Sequence, residues 1–202
     1  MFESWGKYSD QELFDMIKKK DKLAEKAFSE IYLRYSDRIF NYCFKILGSY
    51  QDAKDVFQEV FVSFYHNIDN YELQNSLNGI LFKIARNNSI NYNRQKKMFS
   101  EFTEDLFAVQ NFENENKEVM EMINKALDIL PFHQKEAFIL RHVQGLDYEE
   151  ISKITMTNAG TIRNRVKRAI ASLQKILQPV FYESTLDKKK DKDKKKVTNY
   201  QN

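Results

Sequence analysis

The chain has few of the residues on which several protein classes depend. Its 202 residues include one cysteine, two prolines, three histidines and five glycines. A lone Cys43 excludes an intrachain disulfide, which fits a reducing compartment. The isolated glycines cannot build a P-loop or a dinucleotide fingerprint, and the histidines show no metal-ligand spacing with one another or with Cys43. We therefore expect no metal site and no cofactor, and a nucleotide-driven or metal-dependent enzyme is disfavoured.

Long apolar runs are also missing. No stretch approaches the roughly 18 apolar residues that a membrane span needs, so we expect no membrane insertion. The first residues, Met1 to Gly6, lack the basic and apolar regions of a signal peptide. Hydrophobic residues make up 42% of the chain and charged residues 30%, which is typical of a globular protein. These features together predict a cytoplasmic location.

The net charge of +3 is unevenly distributed. Residues 187–202 contain seven lysines and three aspartates, so the other 186 residues carry a net charge of −1. Any affinity of the folded part for nucleic acid must therefore come from local basic patches. The lysine-rich composition predicts that residues 182–202 form a disordered tail, either a solubilising extension or a non-specific attractor of phosphates.

Helical periodicity dominates the sequence, and strand-like alternation is absent. We predict an all-α fold with two small helical domains, at residues 8–98 and 119–181, each with four helical stretches. Between them, residues 99–118 hold six acidic side chains and one lysine with poor periodicity, which predicts a flexible acidic linker. About 20 extended residues reach on the order of 65 Å. Since one turn of B-DNA is roughly 34–36 Å long, the tether permits two DNA sites nearly two turns apart.

The C-terminal domain contains a predicted helix-turn-helix. A helix over Tyr148–Ile154 precedes a turn at residues 155–157, where we expect Met156 to plug the core, and a second helix over Asn158–Leu173. At about 100° per residue, the second helix divides into an apolar side and a polar side. Arginine and asparagine suit guanine and adenine edges, whereas lysine and an N-terminal threonine suit phosphates. The polar side, which we call the recognition face, comprises Thr161, Arg163, Asn164, Lys167 and Arg168.

Four segments in this half carry a resemblance to a known family. They are Leu130-Pro131, Glu136-Ala-Phe-Ile-Leu-Arg141, Gly145-Leu-Asp-Tyr-Glu-Glu-Ile151 and Gly160-Thr-Ile-Arg-Asn-Arg165 with Lys167-Arg-Ala169. Together they resemble the promoter-binding C-terminal domain of bacterial sigma factors, above all the short extracytoplasmic-function (ECF) class. The resemblance implies that this helix enters the major groove of the −35 element, and the positions that match the family are Arg163, Asn164, Lys167 and Arg168. The turn Thr155-Met-Thr157 departs from the Gly-Ile-Ser usual in the family.

The N-terminal domain contains a second motif, Asp52-Ala-Lys-Asp-Val-Phe-Gln-Glu-Val-Phe61. An uninterrupted apolar stripe runs along this segment, made of Ala53, Val56, Phe57, Val60, Phe61 and Phe64. Periodicity alone is also consistent with a solvated acidic face beside that stripe, with Asp52 favouring the helix dipole near the N-terminus. The ordered string is more specific, since it resembles the sigma segment that docks on the clamp helices of the largest subunit of RNA polymerase. The resemblance implies a docking face made of Asp52, Asp55, Gln58 and Glu59.

A basic and amide-rich stripe follows in the same domain. Its residues recur at three- and four-residue steps, and Tyr92 and Phe99 interleave with them. Such a surface suits single-stranded nucleic acid, because its cations can follow the phosphate backbone and its amides and rings can bind unstacked bases. In sigma factors this region captures the −10 element, and Asn87 matches the position that reads a flipped base. Ile80 stands where many relatives carry tryptophan. The stripe, called here the −10 stripe, comprises Lys83, Arg86, Asn87, Asn91 and Arg94.

These observations favour a non-enzymatic sigma factor that binds core RNA polymerase and promoter DNA. The resemblance also implies a protein antagonist, an anti-sigma factor, as a partner. Two alternatives remain open. A stand-alone helix-turn-helix regulator would use only the C-terminal domain and would bind duplex DNA without polymerase. A helical sequestering adaptor would retain the scaffold but would never initiate transcription.

Overall fold

The computed structural model of the chain describes residues 5–20, 22–73, 76–100 and 117–198, with side chains described in these ranges except at 97–100, 117–121 and 179–198. Within these residues all regular structure is helical, as the periodicity predicts. Four α-helices precede the predicted linker and four follow it. Of that linker, residues 101–116 lie outside the described part, and the flanking helices extend into its predicted edges.

The N-terminal module consists of α1 (Asp10–Lys19), α2 (Ala24–Leu47), α3 (Tyr50–His66) and α4 (Leu77–Ser100). Local chemistry sets the helix starts and stops. The Ser9 hydroxyl and the Glu12 carboxylate form a capping box at the start of α1. Gly48 ends α2 with φ +74°, and the next residue, Ser49, caps α3. Gly48 allows this sharp turn because a left-handed backbone is inexpensive only without a Cβ atom.

The core of this module is built where α2 meets α1, α3 and α4. The apolar stripe predicted on α3 is buried at Ala53, Val56, Val60, Phe61 and Phe64. Aromatic side chains complete the packing: Phe14 of α1 meets Phe64, and Tyr42 of α2 meets Phe82 of α4 edge-on at 5.5 Å. Rings of this size bury large areas, so they fix the relative positions of the four helices.

The C-terminal module contains α5 (Lys117–Ile129), α6 (Phe132–Phe138), which continues as a π-helical turn over Ile139–Val143, α7 (Tyr148–Thr155) and α8 (Ala159–Thr198). Pro131 precedes α6, and Gly145, with φ +72°, follows the π turn. Asp147 and Glu150 form a capping box at α7. The predicted helix-turn-helix is thus present as α7, a short turn and α8.

Two details of this module differ from the sequence prediction. Met156 does not plug the core: it ends α7 in the left-handed region at φ +52° and is 78% exposed, whereas Thr155 is buried and donates its hydroxyl to Ile151 O at 2.7 Å. In addition, α8 continues to Thr198, where a disordered tail is predicted from residue 182. Lysine is a good helix former, and no glycine or proline after Pro179 interrupts the helix. Residues 199–202 lie outside the described part.

The two modules pack against each other. One apolar cluster contains buried side chains of α1–α4 together with Ala137, Ile139, Leu140, Ile151 and Ile162 of the C-terminal module. Contacts between α4 and α7, and between α2 and the π turn, join the two halves. A smaller cluster of Ala126, Leu127, Leu130, Ala169 and Leu173 holds α5 to α8. The predicted flexible connection therefore coexists with a closed arrangement of the modules.

Candidate functional site

The docking face lies on the side of α3 opposite its buried stripe. Asp55, Gln58 and Glu59 are exposed. The Asp55 carboxylate accepts a hydrogen bond from Gln51 at 3.3 Å, and Glu59 accepts one from the Ser63 hydroxyl at 2.9 Å. Bonds within one helix leave both carboxylates at the surface, where a partner can reach them. Three of the four predicted docking residues thus share one exposed side of α3, and their docking role stays a prediction.

Asp52, the fourth predicted docking residue, is tied to α4. Its carboxylate accepts hydrogen bonds from the Tyr92 hydroxyl at 2.8 Å and from Lys96 Nζ at 2.7 Å, and its side chain is 13% exposed. Partial burial and the neighbouring Asp52 raise the pKa of Tyr92 to about 12. Asp52 thus connects the docking helix to the helix that carries the −10 stripe, and Tyr92 points toward Asp52 as well as interleaving with that stripe.

An aromatic groove of about 450 Å³ borders Gln58. Tyr32 is 40% exposed, Tyr65 39% and Val62 49%, so the groove offers an apolar surface to solvent. The sequence prediction missed this groove because part of its wall comes from Phe28 and Tyr32 of α2, which lie 20 or more residues before the docking motif. Its lining residues are Phe28, Tyr32, Phe57, Gln58, Phe61, Val62, Tyr65 and His66.

Four members of the −10 stripe are exposed along α4, namely Lys83, Asn87, Asn91 and Arg94. Arg86, the fifth, is covered by the C-terminal module. Its Nε lies 2.8 Å from Glu136 Oε1, and the two side chains are 15% and 1% exposed. In the closed arrangement Arg86 therefore presents less surface to solvent than the other four residues of the stripe.

Glu136 is the polar centre of the interface between modules. It accepts the hydrogen bond from Arg86 and one from the Tyr42 hydroxyl at 3.4 Å. Burial raises the pKa of the Glu136 carboxyl, and the Arg86 charge opposes that rise. A second polar link lies nearby, where Arg38 donates to Gln144 O at 2.7 Å. Both links join residues about 50 or more positions apart across the linker, so no local pattern predicts them.

The recognition face is exposed in the closed arrangement. All five predicted residues point to solvent, whereas Ile162, Val166 and Ala169 on the opposite side of α8 are buried. Asn158 accepts a hydrogen bond from Gly160 N at 2.8 Å just before the exposed segment. The structure therefore presents a face with three cationic side chains and one amide, which suits a polyanion.

Arg163 differs from its neighbours on this face. Its guanidinium lies 5.0 Å from the centre of the Tyr148 ring, and the Arg141 guanidinium lies 4.9 Å from the same ring. Arg141 is itself anchored by donating to Leu146 O at 2.9 Å. Neither Tyr148 nor Arg141 is among the predicted site residues, because their contribution depends on α7 and the π turn converging on α8.

Among the described residues, no group of histidine, cysteine, aspartate and glutamate side chains is arranged to hold a metal ion. In the same part of the chain, no helix is both long and apolar enough to cross a bilayer.

Two family descriptions match the chain, one on each module. Sigma-70 region 2 matches residues 31–98, and Sigma-70, region 4 matches residues 120–173. The first range contains the docking face and the −10 stripe, and the second contains the recognition face. The region 2 match precedes the region 4 match, just as the docking motif precedes the helix-turn-helix in the sequence.

Similar curated proteins are matched over nearly their whole length. The RNA polymerase sigma-H factor of Pseudomonas aeruginosa is 27% identical over 87% of this chain and 97% of its own. The ECF RNA polymerase sigma factor SigW of Bacillus subtilis is 29% identical over 81% and 97%, respectively. The ECF RNA polymerase sigma-E factor of Escherichia coli is 28% identical over 86% and 96%.

Two solved structures share the fold. The sigma factor RpoE of Bartonella quintana, in complex with the anti-sigma factor NepR, has a TM-score of 0.69 at 25% identity, covering 76% of this chain and 98% of that one. CnrH, in complex with the cytosolic domain of CnrY, has a TM-score of 0.67 at 18% identity, covering 84% and 97%.

Proposed function

Because the chain belongs to the sigma-70 family and is an RNA polymerase sigma factor of the ECF type, we propose that its three surfaces divide the work of initiation. A sigma factor binds core RNA polymerase and directs it to promoters. In this chain the docking face binds the polymerase, the −10 stripe takes the opened strand, and the recognition face reads the −35 element. The exposure of the acidic docking residues on α3 carries the proposal.

The docking face would engage the clamp helices of the polymerase largest subunit. Asp55 and Glu59 offer carboxylates to basic groups, and Gln58 offers an amide. The adjoining aromatic groove adds apolar area beside these polar contacts, a combination typical of a stable protein interface. Asp52 acts differently from the other three, because its bonds to Tyr92 and Lys96 hold α3 against α4.

The −10 stripe would bind DNA after the modules separate. Lys83, Asn87, Asn91 and Arg94 are exposed already, but Arg86 becomes available only when its ion pair with Glu136 breaks. The linker is long enough to let the separated modules occupy DNA sites nearly two turns apart. We propose that polymerase and promoter binding stabilise this open arrangement.

The recognition face would enter the major groove of the −35 element. Arg163 and Asn164 suit base edges, Lys167 and Arg168 suit bases or phosphates, and Thr161 lies near the start of α8, where phosphates bind. Replacing Arg163 with alanine should cost about 1–3 kcal/mol at one promoter position if Arg163 reads a base. A uniform loss over all sequences would instead identify a phosphate contact.

The protein itself would carry out no catalysis, because the polymerase performs the chemistry. It would act in the cytoplasm, where RNA polymerase works. We also expect an anti-sigma factor as a partner, since one of the similar structures is of a sigma factor bound to such an antagonist.

A charge reversal separates this proposal from the two alternatives. Asp55→Lys and Glu59→Lys should each weaken binding to purified core polymerase by at least tenfold, because a docking carboxylate is replaced by a cation. Asp37→Lys, at an exposed position of α2 outside the docking face, is the matched control and should bind like the parent. Equal and tight binding by all four proteins would refute the docking assignment, whereas no binding by any of them would favour the stand-alone regulator or the adaptor.

A further inference from the structure

We infer that Tyr148 is a positioning residue for promoter recognition: its ring holds the Arg163 guanidinium in place so that Arg163 discriminates between bases more strongly than its neighbours on the recognition face do. The inference rests on the proposed reading of the −35 element by Arg163. It assigns the base-reading task to Arg163 and the orienting task to Tyr148.

The contact itself is a pair of cation–π interactions on one ring. The Arg163 and Arg141 guanidinium carbons lie 5.0 and 4.9 Å from the Tyr148 centroid. Both distances are within the roughly 6 Å over which a cation is attracted to the face of an aromatic ring. The Tyr148 ring therefore connects Arg141 of the π turn to Arg163 of α8.

Tyr148 is a fixed support because its own position is determined on both sides. It is the first residue of α7, directly after Asp147, whose side chain accepts hydrogen bonds from Glu149 N and Glu150 N at 2.9 and 2.8 Å. Leu146, two residues before Tyr148, is buried, and its carbonyl oxygen accepts a hydrogen bond from Arg141. The tyrosine ring is half-buried against the main apolar cluster. A support of this kind cannot move freely when Arg163 moves.

Arg163 alone on the recognition face receives such support from the described residues. Thr161, Asn164, Lys167 and Arg168 are exposed and make no side-chain hydrogen bond, ion pair or ring contact within that part of the chain. An unrestrained arginine loses much rotamer freedom on binding, whereas a side chain held beforehand loses less. Since a bidentate arginine–guanine contact depends on the orientation of the guanidinium plane, prior orientation favours the correct base over the wrong ones.

The experiment measures base discrimination rather than affinity alone. Holoenzyme assembled from core polymerase and the full-length protein is bound to a library of promoter duplexes with a randomised −35 element. Tyr148→Leu should reduce discrimination about two- to fivefold at the position that Arg163→Ala identifies, and at no other position, a size typical of an exposed cation–π contact. Tyr148→Phe keeps the ring and should stay within about twofold of the parent.

A double variant tests the coupling. If Tyr148 acts through Arg163, adding Tyr148→Leu to Arg163→Ala should cause no further loss of discrimination. The matched control is Asn164→Ala, whose effect should fall on a different base pair and should not depend on Tyr148. A uniform loss of affinity in both Tyr148→Leu and Tyr148→Phe would overturn the inference, because it would identify a hydroxyl contact to phosphate.

Two further readouts keep the outcomes distinct. If Arg163→Ala relaxes one position and Tyr148→Leu does not, only this inference fails; if Arg163→Ala relaxes none, the proposed recognition role of Arg163 fails with it. If Tyr148→Leu fails to fold, the NMR resonance of the Arg163 Nε–H group tests instead whether the ring restrains the Arg163 side chain. A ring-current shift and restricted motion in the parent and in Tyr148→Phe support the inference, whereas a freely mobile side chain overturns it.

Discussion

Reversing the charge of Glu136 should separate the two modules. In Glu136→Arg, the Arg86 guanidinium faces a second cation in a site where Glu136 is 1% exposed. Ion pairs at the surface contribute little to stability because water screens them, but this pair is too buried for such screening. Breaking a buried pair costs roughly 3–5 kcal/mol, and the 15% exposure of Arg86 favours the lower end. About 3 kcal/mol shifts the closed-to-open ratio by roughly 100-fold.

Small-angle X-ray scattering of the free protein measures this shift. Glu136→Arg and Arg86→Glu should each increase the radius of gyration, and the double variant, which restores opposite charges, should return it toward the parent value. Glu149→Arg, at an exposed position of α7, serves as the control and should remain compact. Unchanged dimensions in both single variants, or a double variant as expanded as the singles, would refute the reasoning that this pair holds the modules together.

Two further predictions concern Met156 and Glu136. Met156→Gly should raise the free energy of unfolding by about 1 kcal/mol, because glycine tolerates the φ of +52° that costs other residues energy; thermal unfolding should show no such gain for Met156→Ala. Burial raises the pKa of Glu136 above its ordinary 4.5, so the closed form binds this proton more tightly than the open form. The extra stability that this proton gives the closed form is therefore fully present below pH 4.5 and is lost as pH rises through the raised pKa, whereas the ion pair with Arg86 forms only once Glu136 is ionised. The difference in compactness between the parent and Glu136→Gln across pH 4.5–7 checks this sign, and no pH dependence in that difference would contradict it.

The sequence predicted the helices and the two motifs because both depend on local patterns. The stripe of α3 is buried as expected at Ala53 and Phe64, and the opposite sides of α8 are separated as the 3.6-residue period requires. Pro131 lies just before α6 and Gly145 just after the π turn, where proline and glycine commonly begin and end helices. Sequence patterns that span one or two helical turns were sufficient to predict these features.

Features that depend on tertiary contacts could not be predicted in the same way. From the sequence, Arg86 is simply another cation of the −10 stripe. No nearby residue predicts its ion pair with Glu136, which lies 50 residues away. Met156 reads as a core residue by its apolar side chain, but the left-handed end of α7 turns it outward. Tyr148 reads as the first residue of a helix, and its contact with Arg163 arises only when α7 and α8 pack together.

Run-off transcription with purified core polymerase tests the central claim most directly. The full-length protein should initiate from defined start sites on a subset of templates in a genome-wide library, and Glu59→Lys should abolish those transcripts while Asp37→Lys preserves them. Absence of initiation from every template, with the protein folded and the polymerase active with another sigma factor, would contradict the account.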